Sequence, residues 1–276
     1  VISHTRASAA YDHVCWSYDD PGDFHTRARE FLADGLAAGE RVLYVAPDSP
    51  ASLVERLGDM PGLHDALRRE AAQVVPLNAT YSDGVVDPAA QVGVFAVATE
   101  EALAAGYTGL RVVADVTSLV RSSAQLDAFA RYEYQIDRYM RMQPLSGMCA
   151  FDRLELGDRV VATLACMHPE TNLADALFRL YACSPADGCV ALAGELDASN
   201  HELFSAALEW ADPRPVDGNV VVQATQLRFI DHRGLMHLQE YARQRDATAI
   251  LRTSRSAAAR LVGLLDLSRV RVEATR

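Results

Sequence analysis

Two α/β domains, each a mostly parallel sheet covered by helices, are what this sequence predicts. Three observations carry that prediction. Short apolar runs alternate with amphipathic stretches along the chain, the pattern of strands feeding crossover helices. The length of 276 residues suits two domains of ordinary size. A turn-rich segment at His168-Pro169-Glu-Thr-Asn interrupts the alternation, placing the domains at residues 1–170 and 175–276.

The elements follow in order. Residues 1–12 read as a loose leader. Phe24 to Ala38 reads as a helix because Phe24, Ala28, Phe31, Leu32 and Leu36 recur at turn-like spacing, and Gly39 stops it. Arg41-Val-Leu-Tyr-Val-Ala reads as a buried strand. Ser52 to Leu57 is a helix, Val74-Val-Pro-Leu a short strand, and Pro88 to Ala105 a long helix. Gly109-Leu-Arg-Val-Val-Ala-Asp-Val is the clearest strand of this half. Ser122 to Met142 forms another long helix, with Ser123 in the capping position. Met148-Cys-Ala-Phe and Val160-Val-Ala-Thr-Leu-Ala-Cys read as two closing strands. Further on, one apolar run from Asn219 to Ile230 ends in Asp231, whose carboxylate is placed to cap a helix. Gly234 lets backbone come close, and Leu235, Leu238, Tyr241 and Ala242 then recur at helical spacing. A strand delivering side chains to a helix N-terminus makes a recognition surface, not a deep pocket.

Composition removes several function classes. A hydrophobic fraction of 50% with 23% charged residues is that of a globular chain. The net charge of −11 opposes general attraction to nucleic acid, so no direct nucleic-acid binding is expected. No apolar run approaches the roughly 18–20 residues that span a bilayer, and the first residues lack a signal-peptide pattern. A cytoplasmic protein without membrane contact is the expectation. The five cysteines are odd in number and contain no C-x-x-C pair, so reduced thiols are expected, not a disulfide framework or zinc ribbon. Lysine is absent altogether. That excludes the phosphate loop G-x-x-x-x-G-K-[ST], Schiff-base chemistry and lysine acid–base catalysis.

Residues 11–169 resemble the MEDS family of sensory domains. The resemblance is carried by His13-Val-Cys-Trp-Ser-Tyr, Phe31-Leu-Ala-Asp-Gly-Leu-Ala-Ala-Gly-Glu-Arg-Val-Leu-Tyr-Val, Gly106-Tyr-Thr-Gly-Leu-Arg-Val, Tyr132-Glu-Tyr, Met148-Cys-Ala-Phe-Asp and Met167-His-Pro. Gly39-Glu-Arg-Val-Leu-Tyr-Val is also similar to a strand region of RecA-type ATPases. Together these imply a RecA-like three-layer α/β domain without a P-loop. Where that loop would lie, the chain reads Ser17-Tyr-Asp-Asp-Pro-Gly, whose acids would repel a triphosphate. A sensed small-molecule ligand is implied, with His13, Glu40, Arg111, Glu133, Cys149 and His168 as the pocket residues at strand ends. Each has a structural alternative: an ion pair for Glu40 with Arg111, pairing or capping for Glu133, a turn for His168, apolar packing for Cys149. The H-x-C and C-x-H spacings match no standard zinc pattern, so no metal, haem or other cofactor is predicted.

Residues from about Phe178 to Val272 resemble the STAS domain of anti-sigma factor antagonists. The matching stretches are Val190-Ala-Leu-Ala-Gly-Glu-Leu-Asp-Ala-Ser-Asn, the strand-to-helix turn at Asp231, and Ala249-Ile-Leu-Arg-Thr-Ser with the following helix. The family's pattern after the aspartate is a phosphorylatable Ser, but here His232 and Arg233 follow. The resemblance implies a partner, an anti-sigma factor of the serine-kinase type, docking on Asp197, Ser199, Asn200, Asp231, His232, Arg233 and Gly234. Helix capping is the structural alternative for both aspartates. His232 leaves three readings open: a docking surface without its phosphorylation brake, which is preferred, a surface that docks differently, or a phosphate acceptor. The leading expectation is therefore a non-enzymatic sensor–adaptor in transcriptional control. The competing ones are a homo-oligomeric scaffold and an enzyme using the N-terminal Cys, His and Glu set.

Overall fold

The computed structural model describes residues 12–58, 60–81, 84–174, 176–183 and 188–275. The leader expected over residues 1–12 lies outside them, apart from Asp12.

The N-terminal half begins with β1 (His13–Tyr18), α1 (Pro21–Ala37) and β2 (Arg41–Ala46), then α2 (Pro50–Arg56), α3 (Leu63–Arg68) and β3 (Ala72–Pro76). It continues through α4 (Leu77–Thr80), α5 (Pro88–Ala104), β4 (Leu110–Asp115) and a short 3-10 turn to α6 (Ser123–Met140). It closes with β5 (Leu145–Asp152), α7 (Arg153–Leu156), α8 (Asp158–Ala165) and the two-residue β6 (Glu170–Thr171). The strands form one parallel sheet in the order β3-β2-β4-β5-β1-β6. Side chains alternate between its faces. Val14, Val42, Tyr44, Val113 and Met148 pack with α1, α2 and α3, while Cys15, Val45, Val112, Cys149 and Phe151 pack with α5, α6 and α8. The three layers expected from the sequence are therefore present.

The C-terminal half runs β7 (Phe178–Ala182), β8 (Cys189–Leu196), α9 (His201–Ala211), β9 (Asn219–Gln223), β10 (Leu227–Ile230) and α10 (His232–Gln244). It ends with β11 (Thr248–Thr253), α11 (Ser256–Leu264) and β12 (Val270–Ala274). The path β10-β8-β9-β11-β12 is parallel, and β7 pairs antiparallel with β8. The result is a two-domain α/β fold with six strands in each sheet.

Four readings need correction. The run Val160–Cys166 is not a strand but mostly α8. Its Val161, Leu164 and Ala165 fall on one helical face against the first sheet, and a short apolar run cannot be assigned by periodicity alone. The cap of α6 is Ser122, not Ser123, in a capping box with Gln125. The run Asn219–Ile230 is two strands, both parallel to β8. Cys183 and Cys189 form a disulfide, because the antiparallel β7–β8 pairing brings their Cα atoms to 6.3 Å; Cys15, Cys149 and Cys166 are free and buried.

The two halves share α6. Phe129, Tyr132, Ile136 and Met140 join the core of the first sheet, while Ala130 and Tyr134 join that of the second. Trp210 Nε1 donates to Asp127 at 2.5 Å and Arg131 donates to the Glu209 carbonyl at 2.9 Å, tying α6 to α9.

Candidate functional site

Four of the predicted ligand residues meet in one place. His13 opens β1, Cys149 lies on the neighbouring β5, Glu133 projects from α6, and His168 follows α8. The parallel register sets His13 opposite Gly147 and Cys15 opposite Cys149, which puts His13 and Cys149 on one sheet face. Gly147 leaves room for Met140, since an added Cβ would lie 2.7 Å from Met140 Cε and push that side chain aside. The carboxylate of Glu133 is the hub. Its Oε2 lies 3.1 Å from His13 Nε2, 3.3 Å from His168 Nε2 and 3.6 Å from Cys149 Sγ. All four side chains are buried, Glu133 and His168 at 0% exposure.

A second layer of contacts orients both rings. His13 Nδ1 meets Asp137 Oδ1 at 3.2 Å, and His168 Nδ1 donates to the Leu164 carbonyl at 2.8 Å. Asp137 sits one turn beyond Glu133 on α6 and also accepts from the Ala182 backbone N–H at 2.8 Å. Burial opposes charge on His13, but hydrogen bonds to Asp137 and Glu133 outweigh it and raise the ring to about 9. Burial likewise opposes charge on Glu133; the charge of His168 and hydrogen bonds to His13 and His168 outweigh it and lower the carboxyl to about 2. Burial pushes all three free thiols up. None is therefore an activated thiolate by itself.

The position differs from the expected strand ends. The cluster lies between the sheet face and α6, and the cavity beside Cys149, lined by Tyr81, Tyr132, Ile136 and Met148 among others, is only about 20 Å³. That is close to the minimum of about 10–15 Å³ that admits one water. Glu40 and Arg111 are not part of the cluster. Arg111 Nε donates to Glu40 Oε2 at 2.5 Å, its guanidinium lies over the Phe31 ring at 4.5 Å, and Gly35 leaves the space they fill. They form a buried ion pair apart from the cluster.

Over residues 17–22, where a phosphate loop was expected to be missing, Asp20 accepts from Gly22 N–H at 2.8 Å and Asp19 pairs with Arg153. A carboxylate therefore already occupies the N-terminus of α1, where a phosphate would otherwise sit.

On the C-terminal half, the two predicted turns are adjacent. Asp231 N–H donates to the Leu196 carbonyl at 3.1 Å, and Asp231 caps α10 by accepting from Gly234 N–H at 2.9 Å. His201 Nε2 reaches both Asp231 oxygens at 2.9 Å and so clamps α9 to the second turn. Sequence reasoning missed His201, because nothing local links it to a residue thirty positions on. Asp197 accepts from Ser199 N–H and Oγ at 2.9 and 2.6 Å. Asn200 and Gly234 are buried, so they shape the turns but offer no side-chain contact to a partner. Ser199, His232 and Arg233 are exposed, as are Phe229 and Met236 nearby.

No helix among the described residues is long and apolar enough to cross a membrane. No curated protein matches the chain. One family model does: MEDS, described as the MEthanogen/methylotroph, DcmR Sensory domain, over residues 12–169. That stretch contains the whole first sheet except the two-residue β6, together with the His13–Glu133–Cys149–His168 cluster. Since it spans more than half of the 276 residues, this chain belongs to the MEDS family.

Proposed function

We propose that the protein is a non-enzymatic sensor–adaptor: the buried cluster receives a small ligand, and the C-terminal half relays occupancy to a protein partner. The observation that carries this reading is the contact between Asp137 and β7. One carboxylate bonds the ring of His13 on one side and the Ala182 backbone on the other. β7 is also held by the segment flanking His168, through Leu180 N–H to the Cys166 carbonyl at 2.6 Å and Arg179 to the Pro169 carbonyl. A ligand that repositions His13, Glu133 or His168 thus acts on the first strand of the second domain. Signalling requires that the ligand bind two arrangements of these contacts with different affinity.

The output surface is the pair of turns around Ser199, His232 and Arg233, flanked by Phe229 and Met236. The STAS resemblance makes an anti-sigma factor of the serine-kinase type the partner, in transcriptional control. His-Arg in place of a phosphorylatable serine puts positive charge where a phosphate would add about −1.5 to −2. Docking is then controlled by the N-terminal ligand and not by phosphorylation.

The experiment is hydrogen exchange of the full chain, comparing wild type with Glu133→Gln. A cluster coupled to β7 gives faster exchange at Leu180 and Ala182, about 12 residues beyond the nearest cluster member, with α11 and β12 unchanged. Unaltered protection across residues 178–182 would rule the coupling out. The docking half is tested separately, by titrating a purified anti-sigma kinase against wild type and a His232→Glu, Arg233→Glu variant. Equal affinity for both would remove the assigned surface.

A further inference from the structure

The cluster contains the donor set of a metal site, and its polar bookkeeping is incomplete. We propose that His13 Nε2, His168 Nε2, a Glu133 carboxylate oxygen and Cys149 Sγ bind one borderline transition-metal dication of the Zn²⁺, Co²⁺ or Fe²⁺ kind. This deepens the sensory reading, on which it rests only for the use made of the ion, since it names the ligand class of the same site.

Geometry comes first. One donor atom from each of the four residues lies within 4.8 Å of all the others. Tetrahedral bonds of about 2.0–2.3 Å place neighbouring donors about 3.3–3.8 Å apart. The three separations measured from Glu133 Oε2 are 3.1, 3.3 and 3.6 Å. Small side-chain adjustments therefore bring the set to coordination distance. Two imidazoles, one carboxylate and one thiolate suit a borderline ion. Ca²⁺ and Mg²⁺ call for oxygen-only shells.

Orientation is the second argument. A carbonyl only accepts, so His168 Nδ1 carries a proton in its bond to Leu164, and Nε2, on the Glu133 side, is the nitrogen left to serve a metal. His13 is held at Nδ1 by a carboxylate, Asp137. Imidazoles fixed at one nitrogen by a carbonyl or carboxylate, with the other aimed inward, are the outer-shell arrangement of metal-binding histidines.

Third, buried Glu133 Oε1 lacks a hydrogen-bond partner among the described residues, and the one polar contact of His168 Nε2 given there is the 3.3 Å approach to Glu133 Oε2. Unmet polar atoms at zero exposure call for an explanation, and a single cation among them supplies one. On binding, Cys149 gives up its thiol proton and His13 the proton on Nε2 to the buffer, as metal ligands must. No local motif shows this site, because its donors come from four elements up to 155 residues apart.

The test is Co²⁺ titration of the chelator-stripped full chain. The expected result is one equivalent bound, with the visible bands of tetrahedral Co²⁺ and a near-ultraviolet thiolate charge-transfer band. Cys149→Ser should lose the charge-transfer band. Asp137→Asn, which alters a positioning residue and no ligand, should weaken binding about 10- to 100-fold. Circular dichroism of each variant separates loss of a ligand from loss of the fold, and the wild-type titration stands without any variant. Absence of stoichiometric Co²⁺ and Zn²⁺ binding by wild type overturns the proposal, as does a charge-transfer band unchanged in folded Cys149→Ser. Bound Co²⁺ with the expected bands but unchanged exchange over residues 178–182 would uphold the metal site and sink the sensory coupling. No metal binding, with β7 still perturbed by Glu133→Gln, would do the reverse.

Discussion

At the scale of single residues, the clearest contrast is between two buried acids of similar promise in the sequence. Glu133 gathers two histidines and a cysteine, whereas Glu40 has one arginine, whose guanidinium lies over Phe31. Residue type and strand-end position could not separate these roles, because the difference lies in which neighbours the sheet order supplies. β4 carries Arg111 to β2 and Glu40; β5 carries Cys149 to β1 and His13. The distinction is measurable. Arg111→Ala leaves Glu40 buried without its partner, which should cost about 3–5 kcal/mol in denaturant unfolding. Metal affinity of the fraction that remains folded should stay at the wild-type level. A loss of affinity matching that of Asp137→Asn would place Arg111 in the site after all.

At the scale of elements, what was legible depended on how local the signal was. The long helices α1 and α6 were readable because their apolar spacing extends over enough residues to select a period, α5 from its length beyond Pro88, and the strands β2 and β4 from valine-rich runs that follow Gly39 and Gly109. The capping role of Asp231 was readable since cap and helix are contiguous. The strand assigned to Val160–Cys166 failed because seven mostly apolar residues fit either structure; the preceding Gly157 at φ +78° ends α7 and lets α8 start in a new direction. The break between β9 and β10 was hidden within one apolar run, and only pairing to successive parts of β8 reveals it. Gly194, in the Gly-Glu-Leu-Asp stretch of β8, has a requirement that its resemblance to a motif did not explain. Its φ is +90°, and an added Cβ would lie 2.2 Å from the Leu177 carbonyl oxygen. Gly194→Ala must therefore strain the backbone and part β7 from β8, costing at least about 1–3 kcal/mol. Urea titration will read this directly, and a midpoint within error of wild type would show that β7 can yield without cost.

At the scale of the whole molecule, the division at about residue 170 follows the chain but not the packing. The helix α6 belongs to the first domain by sequence, yet Ala130 and Tyr134 are buried in the second core, as are Cys166 and Met167 at the end of the first. Tyr134 OH also donates to the Cys189 carbonyl at 3.3 Å. Cutting the chain at 170 would return these side chains to water and remove the Ala182 donor from buried Asp137. A buried acceptor left unmet costs about 1–3 kcal/mol, a large share of the roughly 5–15 kcal/mol that holds a domain together. The intact chain should consequently unfold in one transition, with the near-ultraviolet signals of both halves coincident. Tyr134→Ala should lower the midpoint of both together, by about 3–5 kcal/mol for a truncated core aromatic. Two resolved transitions, only one of them moved by Tyr134→Ala, would mean that the halves are independent. The limb of the relay that runs through Glu133 and Asp137 on α6 would then fail, because it needs α6 to be common property of both cores, and only the bonds from Cys166 and Pro169 would still reach β7.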